Sequence, residues 1–277
     1  MTSPDAPAAT LADVVDIVHR RYDPSTAAEW DSVGLTCGDP DQPVRRVLLA
    51  VDAVAVTVEE ALGWGADLLV THHPLLFRPV TSVAATTPAG RLVHRLVRGG
   101  CALLAAHTNA DVARDGVSDA LADVLGVRDT APVLPSAAEP STGVGRVGDL
   151  DAAVSLGRFA MLVRDALPRT AHGVRVAGDA DRAVRRVAVL GGSGGDDLAA
   201  ASRVGADVVV TSDLRHHVAS DHLAAGGPAL VDVAHFASEW PWLPVAARLL
   251  AADLGARGFA VVTRVSTLVT DPWTDRL

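Results

Sequence analysis

The chain contains no lysine: its 24 basic residues other than histidine are all arginine. With its wealth of alanine, valine and aspartate, this marks a genomic composition bias rather than a function. Cysteine is nearly absent too. Cys37 and Cys101 are too few for a disulfide framework and lack the paired spacing of a zinc-thiolate site. They read as small buried residues of a protein in a reducing compartment, with the cytoplasm as the expected location. Positive charge is in deficit, 24 Lys and Arg against 33 Asp and Glu for a formal net charge of -9. That balance argues against a sequence-independent grip on nucleic acid or on an anionic membrane. Long apolar runs are missing: the stretch 96–106 is interrupted by Arg98, Gly99 and Gly100, and no segment reaches the roughly 18 uncharged residues of a membrane span. The first twenty residues have no basic start followed by an apolar run, so they read as a short tail and a first helix rather than a secretory signal.

What is present is a long, apolar-rich chain. At 277 residues and 49% hydrophobic, it can build one large or two ordinary domains around a sizeable core. Short apolar runs alternate with amphipathic helical patterns, which predicts βαβ units and a mainly parallel sheet. Strands are expected over 45–53, 66–74 and 101–111, with helices over 56–65 and 90–100 between them. The same order returns later, with RRVAVLGGSG (185–194), DDLAAASRVG (196–205), ADVVVTSD (206–213) and PALVDVAHFASE (228–239). Ala66-Asp67 and Ala206-Asp207 lie 140 positions apart, as do Arg45-Arg46 and Arg185-Arg186. Two matched segments in one order favour an internal duplication. The expected architecture is α/β, with two similar three-layer lobes and a metal site between them. The first lobe covers 1–127, a connector of Pro-, Ser- and Gly-rich texture covers 128–184, and the second lobe covers 185–277. The connector is expected to hold one helix over 155–167 and some edge strands. A last helix (241–255) and strand (259–270) close the chain.

The histidines gather at the ends of these strands, where ligands sit in open parallel sheets. His72-His73 ends one strand, His107 another, and His235 the equivalent strand of the second half. Two adjacent histidines in a regular strand face opposite ways, but before Pro74 the backbone turns and the rings can reach two ions of a close pair. Taken alone, the pair fits a surface or capping role better than a metal site. His107 and Asp111, and His235 and Glu239, share four-residue spacings that align side chains on one face of a helical turn. Asp111 as a helix cap and His235 as a hydrogen-bonded core residue remain open readings. Taken together, imidazole and carboxylate donors at corresponding strand ends favour a divalent metal. Such a set suits zinc, iron, manganese, cobalt or nickel better than calcium or magnesium. In the second half Ser212-Asp213 stands where the first has His72-His73, followed by His216, His217 and His222. If the halves face each other, Asp213 and His217 fall near the metals as acid/base or substrate-binding groups, although solvated loop residues explain them equally well. The glycine-rich GGSGG (191–195) lacks the Lys-Ser/Thr of a phosphate loop and reads as a strand-to-helix turn capped by Asp196.

WDSVGLTCGD (30–39), VDA (51–53), GADLLVTHHPLLF (65–77), AHTNADVARDGVSDALADVLG (106–126), GADVVVTSDLRHH (205–217), VDVAHFASE (231–239) and TDPW (270–273) together resemble the GTP cyclohydrolase 1 type 2 homologs, also called Nif-like dinuclear metal-centre proteins. The resemblance covers nearly the whole chain outside the connector. It implies two metal ions held by His72, His73, Asp111, His235 and Glu239, with the glutamate bridging and His107 beside the site. It also implies two similar α/β lobes and assembly into a hexameric ring with the metals facing its cavity. Some longer relatives insert a domain between the lobes, and the short connector leaves little room for one. WDS replaces the frequent WDN, and TSDLRHH replaces a TGD-x-x-YH-like segment, but no implied ligand changes. The function implied is hydrolysis of a nucleotide-like or phosphorylated small molecule, with opening of the guanine ring of GTP as the named activity. A non-catalytic metal-binding or metal-handling ring and a metal-dependent phosphoesterase are the other readings.

Overall fold

The computed structural model describes residues 7–277. The chain forms two compact units, one comprising the residues up to Ala110 with Leu243–Thr270, the other Asp111–Trp242 with Asp271–Leu277. Among the described residues no helix is long and apolar enough to cross a membrane.

Unit 1 opens with helix α1 (Leu11–Arg21), started by a capping box in which Thr10 and Asp13 exchange hydrogen bonds. Strand β1 (Gly34–Cys37), β2 (Arg46–Ala50), α2 (Ala55–Trp64), β3 (Leu68–Thr71), α3 (Pro88–Arg98) and β4 (Ala102–Ala105) follow. Each predicted strand is shorter than its apolar run, because pairing stops where the backbone turns toward the site. The predicted strand over 101–111 ends at Ala105, and helix α4 (Thr108–Val112) begins three residues later. His107 and Asp111 therefore lie outside the sheet. β3 and β4 are buried at every position, as expected of parallel strands covered on both faces.

Unit 2 contains α5 (Val117–Val124), β5 (Arg128–Ala131), β6 (Arg146–Ser155), α6 (Leu156–Ala166), β7 (Val174–Ala177), β8 (Ala183–Val189), α7 (Leu198–Arg203), β9 (Val208–Ser212), α8 (His216–Ala224), β10 (Ala229–Val233) and the short α9 (His235–Glu239). Its sheet runs in the order β7-β10-β9-β8-β6-β5. β8, β9 and β10 are parallel, and the flanking strands are antiparallel. Val187, Val210 and Val231 pack with Phe159 on one face, while Ala188, Val209 and Leu230 pack with Leu198 on the other. This is the alternation that a sheet sandwiched between helices requires. The stretch read as a connector supplies β6, a ten-residue strand inside the sheet. Its aspartates, its glycine and the register shift between Asp149 and Val154 blur the alternation that would mark a strand in sequence.

The chain then returns to unit 1 through α10 (Trp242–Ala256) and β11 (Val262–Val265). β11 pairs parallel with β2, giving a sheet order of β11-β2-β3-β4-β1 with only β1 antiparallel. Both units build the same strand entry. Asp67 Oδ2 accepts the backbone N–H groups of Arg45 and Arg46 at 2.7 and 2.9 Å, and Asp207 Oδ2 accepts those of Arg185 and Arg186 at 2.9 and 2.8 Å. The carbonyl of Asp67 receives Ala102 N–H at 2.9 Å, and that of Asp207 receives Ala229 N–H at 3.0 Å. The positions that match in sequence thus do the same work inside each unit.

Candidate metal centre

In unit 1, Ala50, Thr71 and Ala105 are paired across the ends of three parallel strands. The residues that follow, His72-His73 and Ala106-His107, therefore emerge side by side at the carboxyl edge of the sheet. Ring nitrogens of His72, His73 and His107 all lie within 4.8 Å of one another. Each ring is aimed by an acceptor on Nδ1. His72 Nδ1 meets the carbonyl of Ala106 at 2.9 Å, His73 Nδ1 meets Asp52 Oδ1 at 2.7 Å, and His107 Nδ1 meets Asp31 Oδ1 at 2.8 Å. A carbonyl or an ionised carboxylate can only accept, so each Nδ1 carries a proton, and in the neutral form of the ring the lone pair lies on Nε2. That is the form in which imidazole binds a metal, with the acceptor behind it as orienting partner.

The supporting carboxylates are held in turn. Asp31 has a fully buried side chain, and its second oxygen accepts from Thr108 N–H at 3.0 Å and from the Thr108 hydroxyl. Burial alone would raise its pKa, but the hydrogen bonds from His107 and Thr108 outweigh burial and hold it below the usual carboxylate range. Burial and the neighbouring His72 and His73 hold His107 below the ordinary imidazole value, against the pull of Asp31. The ring is therefore neutral at pH 7. Asp52 receives the hydroxyl of Thr270 on its other oxygen. Asn109, 1% exposed, accepts the N–H of His107 at 2.9 Å and donates to the carbonyl of Tyr22 at 2.7 Å, fixing the turn that presents His107.

In unit 2, α9 places His235 and Glu239 one turn apart, with Nε2 and Oε1 separated by 2.8 Å. His235 Nδ1 meets Asp213 Oδ2 at 2.6 Å. Asp213 follows β9 in the left-handed backbone region, at φ 57°, which aspartate tolerates better than most residues and which often marks a functional turn. A neutral imidazole carries one proton, yet both nitrogens of His235 face carboxylates, and Glu239 is only 2% exposed. Such an arrangement calls for a positive charge, supplied by protonation of the ring or by a cation. The donor chemistry of both units thus fits a divalent metal.

The glycine-rich turn differs from expectation. Asp196 does not cap α7: its side chain is 94% exposed, and the N-cap position Asp197 makes no side-chain hydrogen bond either. Instead Gly192 lies against the donors, where a Cβ would stand 2.7 Å from Glu239 Oε1 and 3.4 Å from His235 Nε2. Its N–H donates to Ser238 Oγ at 2.9 Å. Asp111 is half-buried on α4, and His217 is exposed on the first turn of α8 with its ring 5.2 Å from that of His216. His222 Nε2 meets the carbonyl of Pro228 at 3.0 Å. Sequence reasoning assigned no role to Asp31, Asp52, Asn109 or Thr270, although all lie within motifs that the sequence makes conspicuous, and it read Gly192 only as part of a turn.

The model of the family described as Duf34/NIF3 (NGG1p interacting factor 3) matches residues 9–272. A Streptomyces coelicolor protein named GTP cyclohydrolase 1 type 2 homolog is 46% identical over 266 residues, 95% of this chain and 93% of that protein. A Mycobacterium tuberculosis protein of the same name is 37% identical, covering 95% of this chain and 96% of its own length. The crystal structure of a Bacillus cereus protein related to NIF3 superposes with a TM-score of 0.89 at 26% identity, covering 96% of this chain and 99% of that one.

Proposed function

The chain belongs to the Duf34/NIF3 family, and on that premise we propose that it is a metal-dependent hydrolase acting on a nucleotide-like small molecule. In this reading His72, His73, Asp111, His235 and Glu239 hold two divalent ions, with zinc, iron, manganese, cobalt and nickel as the suited metals. The observation that carries the reading is the convergence of His72, His73 and His107, each with its Nδ1 committed to a fixed acceptor. Three imidazoles each held with Nδ1 on a fixed acceptor and Nε2 left for a metal or a proton are costly to assemble for packing alone.

A pair of bound divalent ions supplies Lewis acidity and an acidified water at neutral pH. The protein's part is to position and to move protons. Asp52 and Asp213 fix the rings of His73 and His235. His107 accepts a proton at Nε2 while Asp31 holds the opposite N–H and stabilises the resulting charge, as an oriented base requires. His217, exposed on α8, returns a proton to the leaving group. The hexameric ring belongs to the same proposal, and a solution mass of six chains checks it.

The test combines metal analysis with turnover. Purified protein is expected to take up about two divalent ions per chain and to open the guanine ring of GTP with release of formate, and His235→Ala should lose both properties. Metal uptake without turnover of any nucleotide would leave a metal-handling protein. Release of p-nitrophenol from phosphate esters, with GTP untouched, would favour a phosphoesterase.

A further inference from the structure

Two large aromatic side chains stand exposed beside the histidine cluster of unit 1. Trp30 is 61% and Phe77 44% exposed. Their ring centroids are 5.7 Å apart at an interplanar angle of 44°. His107 meets Trp30 edge-on at 6.1 Å and 75°, and Phe77 at 6.2 Å and 73°. Leaving an indole and a phenyl ring in water forgoes the burial free energy that would otherwise keep them inside. An exposed aromatic pair adjoining convergent polar groups is a common mark of a binding surface.

The backbone that carries Trp30 is fixed from both sides. Ala28 N–H donates to Thr108 Oγ1 at 3.0 Å, and Asp31 N–H donates to the carbonyl of Ala28 at 2.9 Å. Asp31 in turn grips His107 and Thr108. The same hydrogen bonds that aim His107 therefore also set the backbone of Trp30. At 5.7 Å the two rings touch each other and leave no slot for a third ring between them, which would need about twice the stacking distance of roughly 3.5–4 Å. The pair is a wall, with Phe77 and His107 bracing Trp30 and the indole presenting a face to solvent.

We propose that Trp30, braced by Phe77, is the stacking surface for a planar heteroaromatic ring of the substrate, such as a nucleobase, held beside the imidazole donors. The two rings carry no charge and no acceptor of their own, so the wall selects for a π-face rather than for a hydrogen-bond pattern. The inference rests on the proposed nucleotide-directed function and names the part of the ligand that this wall receives.

The test measures binding of guanosine 5′-monophosphate and of ribose 5-phosphate, which lacks the ring, to metal-loaded wild type, Trp30→Ala and Trp30→Phe. The expected result is an approximately tenfold higher Kd for guanosine 5′-monophosphate in Trp30→Ala, near-wild-type affinity in Trp30→Phe, and ribose 5-phosphate binding unchanged in all three. Equal affinity of wild type and Trp30→Ala for the nucleotide overturns the proposal. So does a parallel loss of both ligands, which would report a damaged site. A wild type that loads metal but binds no nucleotide overturns it while leaving the metal reading intact. A wild type that takes up no metal ends the metal reading, and the nucleotide comparison repeated on the metal-free proteins then decides on the wall alone. Loss of a multimer in Trp30→Ala, with nucleotide affinity unchanged, assigns the pair to a contact between copies of the chain and likewise overturns the proposal.

Discussion

His73 Nδ1 and Asp52 Oδ1 lie 2.7 Å apart, and that bond decides which nitrogen of His73 is left to bind a metal. Asp52 is itself tied to the Thr270 hydroxyl, 218 residues away in sequence. The C-terminal segment thus steadies a histidine at the end of β3. Replacing Asp52 by asparagine keeps the size but removes the charge that favours the N–H at Nδ1. Metal affinity is expected to fall by about 10–100-fold, with a smaller loss in Thr270→Val and recovery in Thr270→Ser. Competition with a chelator of known affinity reads the effect. Unchanged affinity in Asp52→Asn would show that the ring is positioned by other contacts.

The parts of this arrangement legible in sequence are the donors. His72-His73, His107 and the His235/Glu239 pair stand at the ends of apolar runs, and it is their coincidence at corresponding strand ends, not any one of them, that points to a metal. The supporters were harder to read. Asp31 lies in the conspicuous WDS, Asp52 in VDA and Thr270 in TDPW, but each acts through a partner at least 21 residues away, and no local periodicity encodes that distance. Gly192 reads as turn chemistry because a glycine gives no sign of what its missing side chain would strike. The ten-residue β6 was obscured for a different reason: its exposed and half-buried positions are not evenly alternated.

Gly192 should tolerate no side chain. Its φ of +67° is the left-handed region, and an added Cβ would stand 2.7 Å from Glu239 Oε1. Gly192→Ala then incurs about 1–2 kcal/mol of backbone strain and displaces a carboxylate that is 2% exposed. A drop in Tm of roughly 2–8 °C is expected, together with reduced metal occupancy. Thermal unfolding and elemental analysis of the same preparation check both. Full occupancy at lowered Tm would separate the strain from the site.

Arg146 is the most constrained charge in unit 2. It is 2% exposed, pairs with both oxygens of Asp119 at 2.5 and 2.9 Å, and donates to the carbonyls of Gly143, Gly145 and Ala113. Removing the guanidinium strands three carbonyls and leaves the carboxylate of Asp119, 24% exposed, without its partner. Arg146→Leu is expected to cost about 3–5 kcal/mol, and Arg146→Lys to restore little, because an ammonium cannot reproduce the planar fork. Denaturant unfolding measures the loss, and a change below about 1 kcal/mol would mean that water replaces these bonds.

His19, on the buried face of α1, gives a test of acid sensitivity away from the metal donors. Its Nε2 is buried with no hydrogen-bond partner among the described residues. Burial holds its pKa below the ordinary 6.5, against the opposing charges of Asp16 and Asp23. The folded state therefore binds this proton less readily than the unfolded chain, whose histidine protonates near 6.5. The sign follows from linkage: stability is whole above the unfolded value and declines as pH falls below it, until the folded ring also protonates. For one proton the slope cannot exceed about 1.4 kcal/mol per pH unit. His19→Leu removes both the titration and a buried polar atom, so the variant should match or exceed wild type at pH 5.5 and show a shallower fall between pH 7 and pH 5. Urea midpoints of the metal-free proteins across that range decide the matter, and parallel curves for the two would show that the acid loss comes from other groups.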